Sequence, residues 1–253
     1  NRIAKEGDRY KYNYEINSKV LSGFAQAQFK YNRVDFYIGA SVSNTNYQRN
    51  GLFENGNYLG TESFGEGEKQ SFTDFGVKGG AIYKVTGKHL IDVNLGYISK
   101  APSIRNTFTN ARQNNAVSIG LESEKIQNVD IGYIFRSPII KAKITGFYSN
   151  FKDGSDLGFY FTENISGLGL EQNAFIQEVM TNIEKQHIGT ELGIEAQVTP
   201  TIKLKGAASM GQYTYHNNPN LYITSDDLDG PISFGDGTTK LKNYHVAGGP
   251  ERA

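Results

Sequence analysis

Apolar and polar residues alternate along most of this chain with a period of two. Leu21, Gly23, Ala25, Ala27, Phe29 and Tyr31 are apolar or small. Ser22, Gln26, Gln28 and Lys30 between them are polar, with Phe24 the exception. Val34, Phe36, Ile38, Ala40 and Val42 then alternate with Asp35, Tyr37, Ser41 and Ser43. The same pattern runs over residues 75–85, 91–97, 129–136, 141–148, 188–198 and 202–210. Successive side chains of a strand point to opposite faces, so each segment predicts a strand with one apolar and one polar face. The pattern predicts about eight strands.

The connections between them alternate as well. Asn32-Arg33, Gly87-Lys88, Ser137-Pro138 and Pro200-Thr201 are tight-turn signals. The other links, residues 49–72, 100–125, 152–174 and 217–242, are long and rich in Gly, Asn, Asp and Ser. A strict short–long alternation sends every long loop out of one end of the sheet, as in transmembrane barrels with short periplasmic turns and long outer loops. Tyr31, Phe36, Tyr83 and Phe135 share the apolar parity next to the short turns, and Tyr97 and Tyr148 share it near the long loops. Such positions match the two aromatic girdles at the membrane interfaces. The predicted fold class is therefore all-β: an antiparallel up-and-down transmembrane β-barrel, short turns on one side and long loops on the other. Alternation alone does not say which face looks outward. A soluble sandwich or lipocalin-like barrel would bury the apolar face, bringing Val93, Ile131 and Leu192 into a sealed, dry centre.

Composition narrows the picture further. Across 253 residues, 26 Lys and Arg balance 26 Asp and Glu, which excludes a strongly basic nucleic-acid binder. There is no cysteine, so disulfide scaffolds, thiolate metal sites and Cys nucleophiles are excluded. A mean hydropathy of −0.49 is low for a membrane protein, but in a barrel only alternate residues meet lipid. Sixteen Tyr and 15 Phe argue against disorder as the cause of that low value.

Several motifs resemble those of one family. Residues 96–106, GYISKAPSIRN, resemble the segment of TonB-dependent outer-membrane receptors in which a strand ends in an (R/K)-A-P-S-(F/I)-R signature. Leu121-Glu122-Ser123-Glu124-Lys125 followed by Val129-Asp130-Ile131-Gly132-Tyr133 is similar to that family's L-x-P-E-K…E-x-G-Y. Here Ser123 stands for the usual proline and Asp130 for the usual glutamate. Residues 147–153 resemble the next upward strand, residues 187–192 the "GxE" strand after it, and residues 241–250 the start of a further downward strand. The Asn-, Lys- and Tyr-rich flavour resembles receptors of the Bacteroidota. This resemblance implies a barrel of about 22 strands filled by an N-terminal plug. No plug signature and no terminal aromatic strand occurs, so residues 1–253 are expected to be part of the receptor barrel, with plug and C-terminal strands outside this chain.

The resemblance also implies the function: uptake of a nutrient (siderophore, vitamin, glycan or peptide) across the outer membrane of a Gram-negative bacterium. The implied partners are the TonB–ExbB–ExbD complex acting through the plug, outer-membrane lipid, and a surface lipoprotein lid. The alternative is a structural, adhesive or secretion-associated barrel without transport of its own.

Candidate chemistry is sparse, and neither an enzyme nor a cofactor is expected. His89, His187, His216 and His245 are scattered, and no H-E-x-x-H or G-x-S-x-G occurs. Glu191 and Glu195 share a strand face with Cα atoms about 13 Å apart, beyond the roughly 5–9.5 Å of paired glycosidase carboxylates. They are read instead as lumen partners of Lys203 and Lys205, with Asp130, Arg136, Lys141 and Lys143 pairing likewise, and Lys143→Gln is expected to be mild compared with Leu95→Arg or Ile194→Arg on the apolar face. Asp226, Asp227, Asp229 and Asp236 crowd one loop, but their spacing does not match an EF-hand, and a solvated acidic loop is the preferred reading. Ligand-binding candidates lie in the first two long loops. Arg105, Asn110, Arg112 and Asn114 could hydrogen-bond a polar or anionic ligand, and Tyr58 and Phe64 could stack on a ring.

Overall fold

A computed structural model of the chain describes residues 5–8, 12–163, 174–247 and 251. Its long strands are β1 (Tyr14–Lys30), β2 (Val34–Gly51), β4 (Gln70–Lys84), β5 (His89–Lys100), β6 (Glu124–Arg136), β7 (Ile140–Thr162), β8 (Ala174–Gln197) and β9 (Lys203–Tyr215). Two short strands, β3 (Gly65–Glu66) and β10 (Asn220–Thr224), a 3-10 turn at Gly60–Glu62 and a short helix, α1 (Ile104–Thr107), lie in the long connections. Every long strand pairs antiparallel with the next, from β1 across to β9, in one unclosed sheet.

The tight turns fall where Asn32, Gly87, Pro138 and Pro200 place them. They are closed by backbone bonds from Tyr31 to Val34 (2.9 Å), Thr86 to His89 (3.1 Å), Ser137 to Ile140 (2.7 Å) and Val198 to Ile202 (2.9 Å). Pairing register carries the apolar parity across the whole sheet. One row reads Ala40, Val77 and Tyr97; another reads Ala81, Val93, Ile131, Gly146 and Thr190. This face has no cover. Ile131 is 57% exposed, Leu95 57%, Leu192 45% and Met210 60%. Val93 and Ile131 lie side by side on it rather than in a sealed centre, which excludes the soluble reading and leaves lipid as the matching solvent.

Aromatic rings border that face at both ends. Phe29 and Phe36 stack at 4.8 Å beside the first tight turn. His89 packs against Tyr133 and Phe135 beside the second, at 6.0 and 5.2 Å. Phe75 and Tyr97 stack at 5.5 Å towards the long loops. From Tyr83 to Phe75 along β4 is about 21 Å along the membrane normal for a strand tilted by about 40°.

The opposite face carries most of the charged and polar side chains, with Tyr37, Lys78, Ile134 and Phe147 among its larger ones. Lys143 Nζ lies 2.8 Å from Asp92 and Lys84 Nζ 2.7 Å from Asp35. Tyr37 donates to Asn94 (3.2 Å), which donates to Asp130 (2.8 Å). Glu195 gathers Lys203 at 3.1 Å, Lys205 at 3.4 Å and Lys141 at 3.9 Å. The partners thus differ from expectation for Asp130, which pairs with Asn94, and for Lys143, which neutralises a buried Asp92. Gly132 makes the Asp92–Lys143 pair feasible, because a Cβ there would sit 2.2 Å from Asp92 Oδ1 and 2.9 Å from Lys143 Cε.

The strands overrun their expected ends on the long-loop side. Of the expected loop 152–174, nearly all the described residues are strand: β7 continues to Thr162, and β8 begins at Ala174 rather than near Ile188. Alternation lapses in β8 because both of its faces meet protein there, whereas Tyr160 and Phe161 at the end of β7 are exposed. The transition is a double register shift between Phe151, Gly154 and Asp156, with Asp153 (φ 57°) and Asn182 (φ 54°) in left-handed conformations that Asp and Asn tolerate. Beyond it β10 takes over from β9 on the edge of β8. Asn217 patches the gap, donating to the Asn182 carbonyl (2.7 Å) and accepting from Glu184 N–H (3.0 Å).

Candidate functional site

The long loops form a layer over the polar side of the sheet. On the outer half of β2, Thr45, Tyr47, Arg49 and Gly51 all have polar-face parity and all are buried. Asp74 on β4 is 2% exposed. The loops therefore fold inward over these strands rather than standing free in solvent.

Two small dry clusters stabilise this layer: Leu157, Val179 and Tyr222 on one face of the β7–β8–β10 extension, and Ala174, Ile176 and Ile223 on the other. Leu228 and Ile232 cover the second cluster. Tyr222 ties the extension to the second loop by accepting from Ile119 N–H at 2.8 Å, and its burial pushes the phenol pKa up. Glu178, beside Asp156 on the same extension, is also raised, first by burial and then by that neighbour.

The second loop is organised by α1. Ser103 caps it, its hydroxyl accepting from Asn106 N–H (3.2 Å). Arg105 donates to the Leu157 carbonyl (3.2 Å) and Asn106 to the Ser155 carbonyl (2.7 Å), which docks the loop on β7. Asn110 and Asn114 are buried and spend polar atoms inside the loop, Asn110 on Gln113 (2.6 Å) and Asn114 on Ala116 N–H (3.0 Å). Arg112 is exposed, its guanidinium 5.7 Å from the Tyr12 ring. In the first loop Tyr58 is half-buried and hydrogen-bonded to Asn114, with its hydroxyl pKa raised chiefly by burial. Phe64 is 54% exposed.

The structure thus brings Tyr58 and Asn114 together, keeps Arg112 and Phe64 at the surface, and engages Arg105 with β7. Of the aspartate loop, Asp226 accepts from Asn57 and Gln113, both at 3.2 Å, joining the fourth loop to the first two. Asp236 accepts from Thr238 N–H and hydroxyl. Among the described residues no group of three or more His, Asp or Glu is placed to hold a metal ion.

Sequence reasoning missed Arg49, which is 1% exposed. Its guanidinium donates to the Ala111 carbonyl (2.7 Å), to the Ser63 carbonyl (2.9 Å) and to Asn115 Oδ1 (2.5 Å), and lies 5.2 Å from the Tyr14 ring. In the sequence it is one more charge at the start of a hydrophilic loop, with nothing to mark it as buried.

The family model described as "TonB dependent receptor-like, beta-barrel" matches residues 3–250. The chain belongs to the TonB-dependent receptor family, as part of its β-barrel. Among solved structures, one chain named "Copper transporter OprC" superposes with a TM-score of 0.61 at 15% identity, covering 82% of this chain and 31% of that one. No curated protein sequence matches. At that identity the likeness to OprC concerns fold, and this chain spans about a third of such a receptor. The unclosed sheet is what part of a larger receptor barrel requires, and its exposed apolar face is the surface that meets lipid.

Proposed function

We propose that this chain supplies wall and outer loops to a receptor-transporter in the outer membrane of a Gram-negative bacterium, which takes up a scarce nutrient with energy from the TonB–ExbB–ExbD complex acting through a plug. The observation that carries this reading is the barrel-family match over residues 3–250. An ordered loop layer folded over the polar side of the sheet supports it, since a receptor has to hold its capture surface in shape. Arg112 and Phe64, which are exposed, and the half-buried Tyr58 are the residues we assign to ligand contact, with Arg105, also exposed, held against β7. Asn110 and Asn114 contribute by holding the second loop in form. A planar or ring-bearing cargo with an anionic group suits that mixture of guanidinium and aromatic surface. OprC is named for copper; its likeness brings the wall and leaves the cargo open.

The test is nutrient-limited growth of the host lacking this receptor, alongside a host with inactivated TonB. Loss of uptake of the same compound in both strains is the expected result. A compound whose uptake needs the receptor but not TonB, or a receptor whose loss changes only surface attachment, overturns the proposal.

A further inference from the structure

Arg49 lies at the outer end of β2, where the wall passes into the loops. A guanidinium removed from water needs its donors satisfied and its charge compensated. Here no carboxylate among the described residues does so. Compensation comes from three oxygen acceptors and one ring face. Ser63 O belongs to the first loop, Ala111 O and Asn115 Oδ1 belong to the second, and Tyr14 belongs to β1. The backbone of Arg49 also receives Gly67 N–H at 2.8 Å.

The two loops are joined around this point. Asn115 N–H donates to the Glu62 carbonyl (2.7 Å) and Asn115 Nδ2 to the Thr61 carbonyl (2.9 Å). Ser63, itself 0% exposed, accepts from Asn55 N–H (2.9 Å) and donates to the Tyr58 carbonyl, which fixes the loop that presents Tyr58 and Phe64. Ser63 approaches so closely that a Cβ at Gly51 would lie 1.8 Å from its carbonyl oxygen and 2.9 Å from Arg49 Nη1.

We propose that Arg49 is the positioning residue that makes the first and second outer loops a single cooperative unit. If either loop leaves, the guanidinium stays buried with only part of its acceptor set, so the remaining loop loses stability too. The loops therefore open and close together, and the surface carrying Tyr58, Phe64 and Arg112 behaves as one platform. This inference concerns the order of the loops and does not depend on the transport reading.

Hydrogen exchange on the full-length receptor in detergent tests it, read peptide by peptide. Arg49→Met is expected to raise exchange by about tenfold or more in residues 52–69 and 101–123 together, as loss of hydrogen bonds to a buried charge implies. The β7–β8 extension and the wall strands should be unchanged. Gly51→Ala should produce the same paired rise without removing the charge, because it displaces the Ser63 carbonyl. Arg49→Lys should restore protection only in part, since an ammonium cannot span the same three acceptors. Spin labels at the exposed Leu59 and Ile119 should show one distance in the parent and a broad distribution in both Arg49→Met and Gly51→Ala. A rise confined to one loop, unchanged exchange in both, or full rescue by lysine overturns the proposal. Should Arg49→Met fail to yield a heat-stable barrel, Gly51→Ala decides alone by the same criterion.

Discussion

The wall and the outer layer of this protein place apolar side chains in opposite ways. In the wall Leu95, Ile131 and Leu192 stand 57%, 57% and 45% exposed on a continuous apolar face. In the outer layer Leu157, Val179 and Ile223 are 1%, 1% and 4% exposed, packed between strands and loops. Lipid supplies the missing contacts in the first region; protein has to supply them in the second. Backbone bonding differs accordingly. The wall satisfies its polar groups through uninterrupted ladders, as hydrocarbon demands. The outer layer uses side chains such as Asn106, Asn217 and Arg49 wherever the ladders stop.

The sharpest way to break this comparison is to truncate a leucine in each region. Leu157→Ala should cost the outer layer about 2–5 kcal/mol, because it leaves a cavity, read as faster exchange in residues 174–183. Leu95→Ala should cost bilayer folding less, about 1–2 kcal/mol, because transfer of the lost carbons is forfeited but lipid leaves no cavity. Equal effects would mean that the wall has a protein-covered face after all. A charge inverts the ranking. Leu95→Arg, with the residue near the middle of the lipid face, should lower bilayer folding stability by about 2–4 kcal/mol in a urea titration with vesicles.

Gly132→Val examines the polar side of the wall. Its side chain would collide with Asp92 and Lys143, and overpacking of that kind costs about 1–3 kcal/mol, read in the same titration. The lysines of this face are not equivalent. Lys205 is one of three around a solvent-accessible Glu195, so Lys205→Gln should leave the midpoint of that titration almost unchanged. Lys143→Gln strands a carboxylate that is 6% exposed, and should cost more than Lys205→Gln. The burial of Asp92 is what ranks Lys143 above Lys205.

The smallest expected effect depends on pH. Burial and Asp156 raise the Glu178 pKa in the folded state, so the folded protein holds this proton more tightly than the unfolded chain does. Stability of the extension then falls as pH rises from the ordinary glutamate value, about 4.3, through the raised one. Glu178→Gln should remove that decline, giving slower exchange in residues 174–183 at pH 7 and no gain near pH 4. A gain of equal size at both pH values would assign the effect to packing.

How much could be read in advance divides along the same line. Residues 34–42 or 188–198 disclose strand, face and direction because lipid imposes a strict period of two, and the turns at Pro138 and Pro200 carry local signals of their own. Residues 152–162 and 174–187 disclose much less. Both faces of the outer half of β8 touch protein, so its polarity no longer alternates, and a strand there resembles a loop. Of the candidate ligand residues, Arg112 and Phe64 lie at the surface, whereas Asn110 and Asn114 turn inward. Composition cannot separate an asparagine that greets a ligand from one that holds a turn.

Local pattern alone fixes strands with one apolar and one polar face and long loops at one end, because alternate side chains of a strand point to opposite faces; that the apolar face stays uncovered is seen only in the fold. Three-dimensional packing settles that Arg49 is buried, that Asp92 belongs to Lys143, and that the first, second and fourth long loops are joined to one another. Those pairings join residues as far apart as Asn57 and Asp226, and no local pattern records which distant carbonyl or carboxylate a polar side chain will meet.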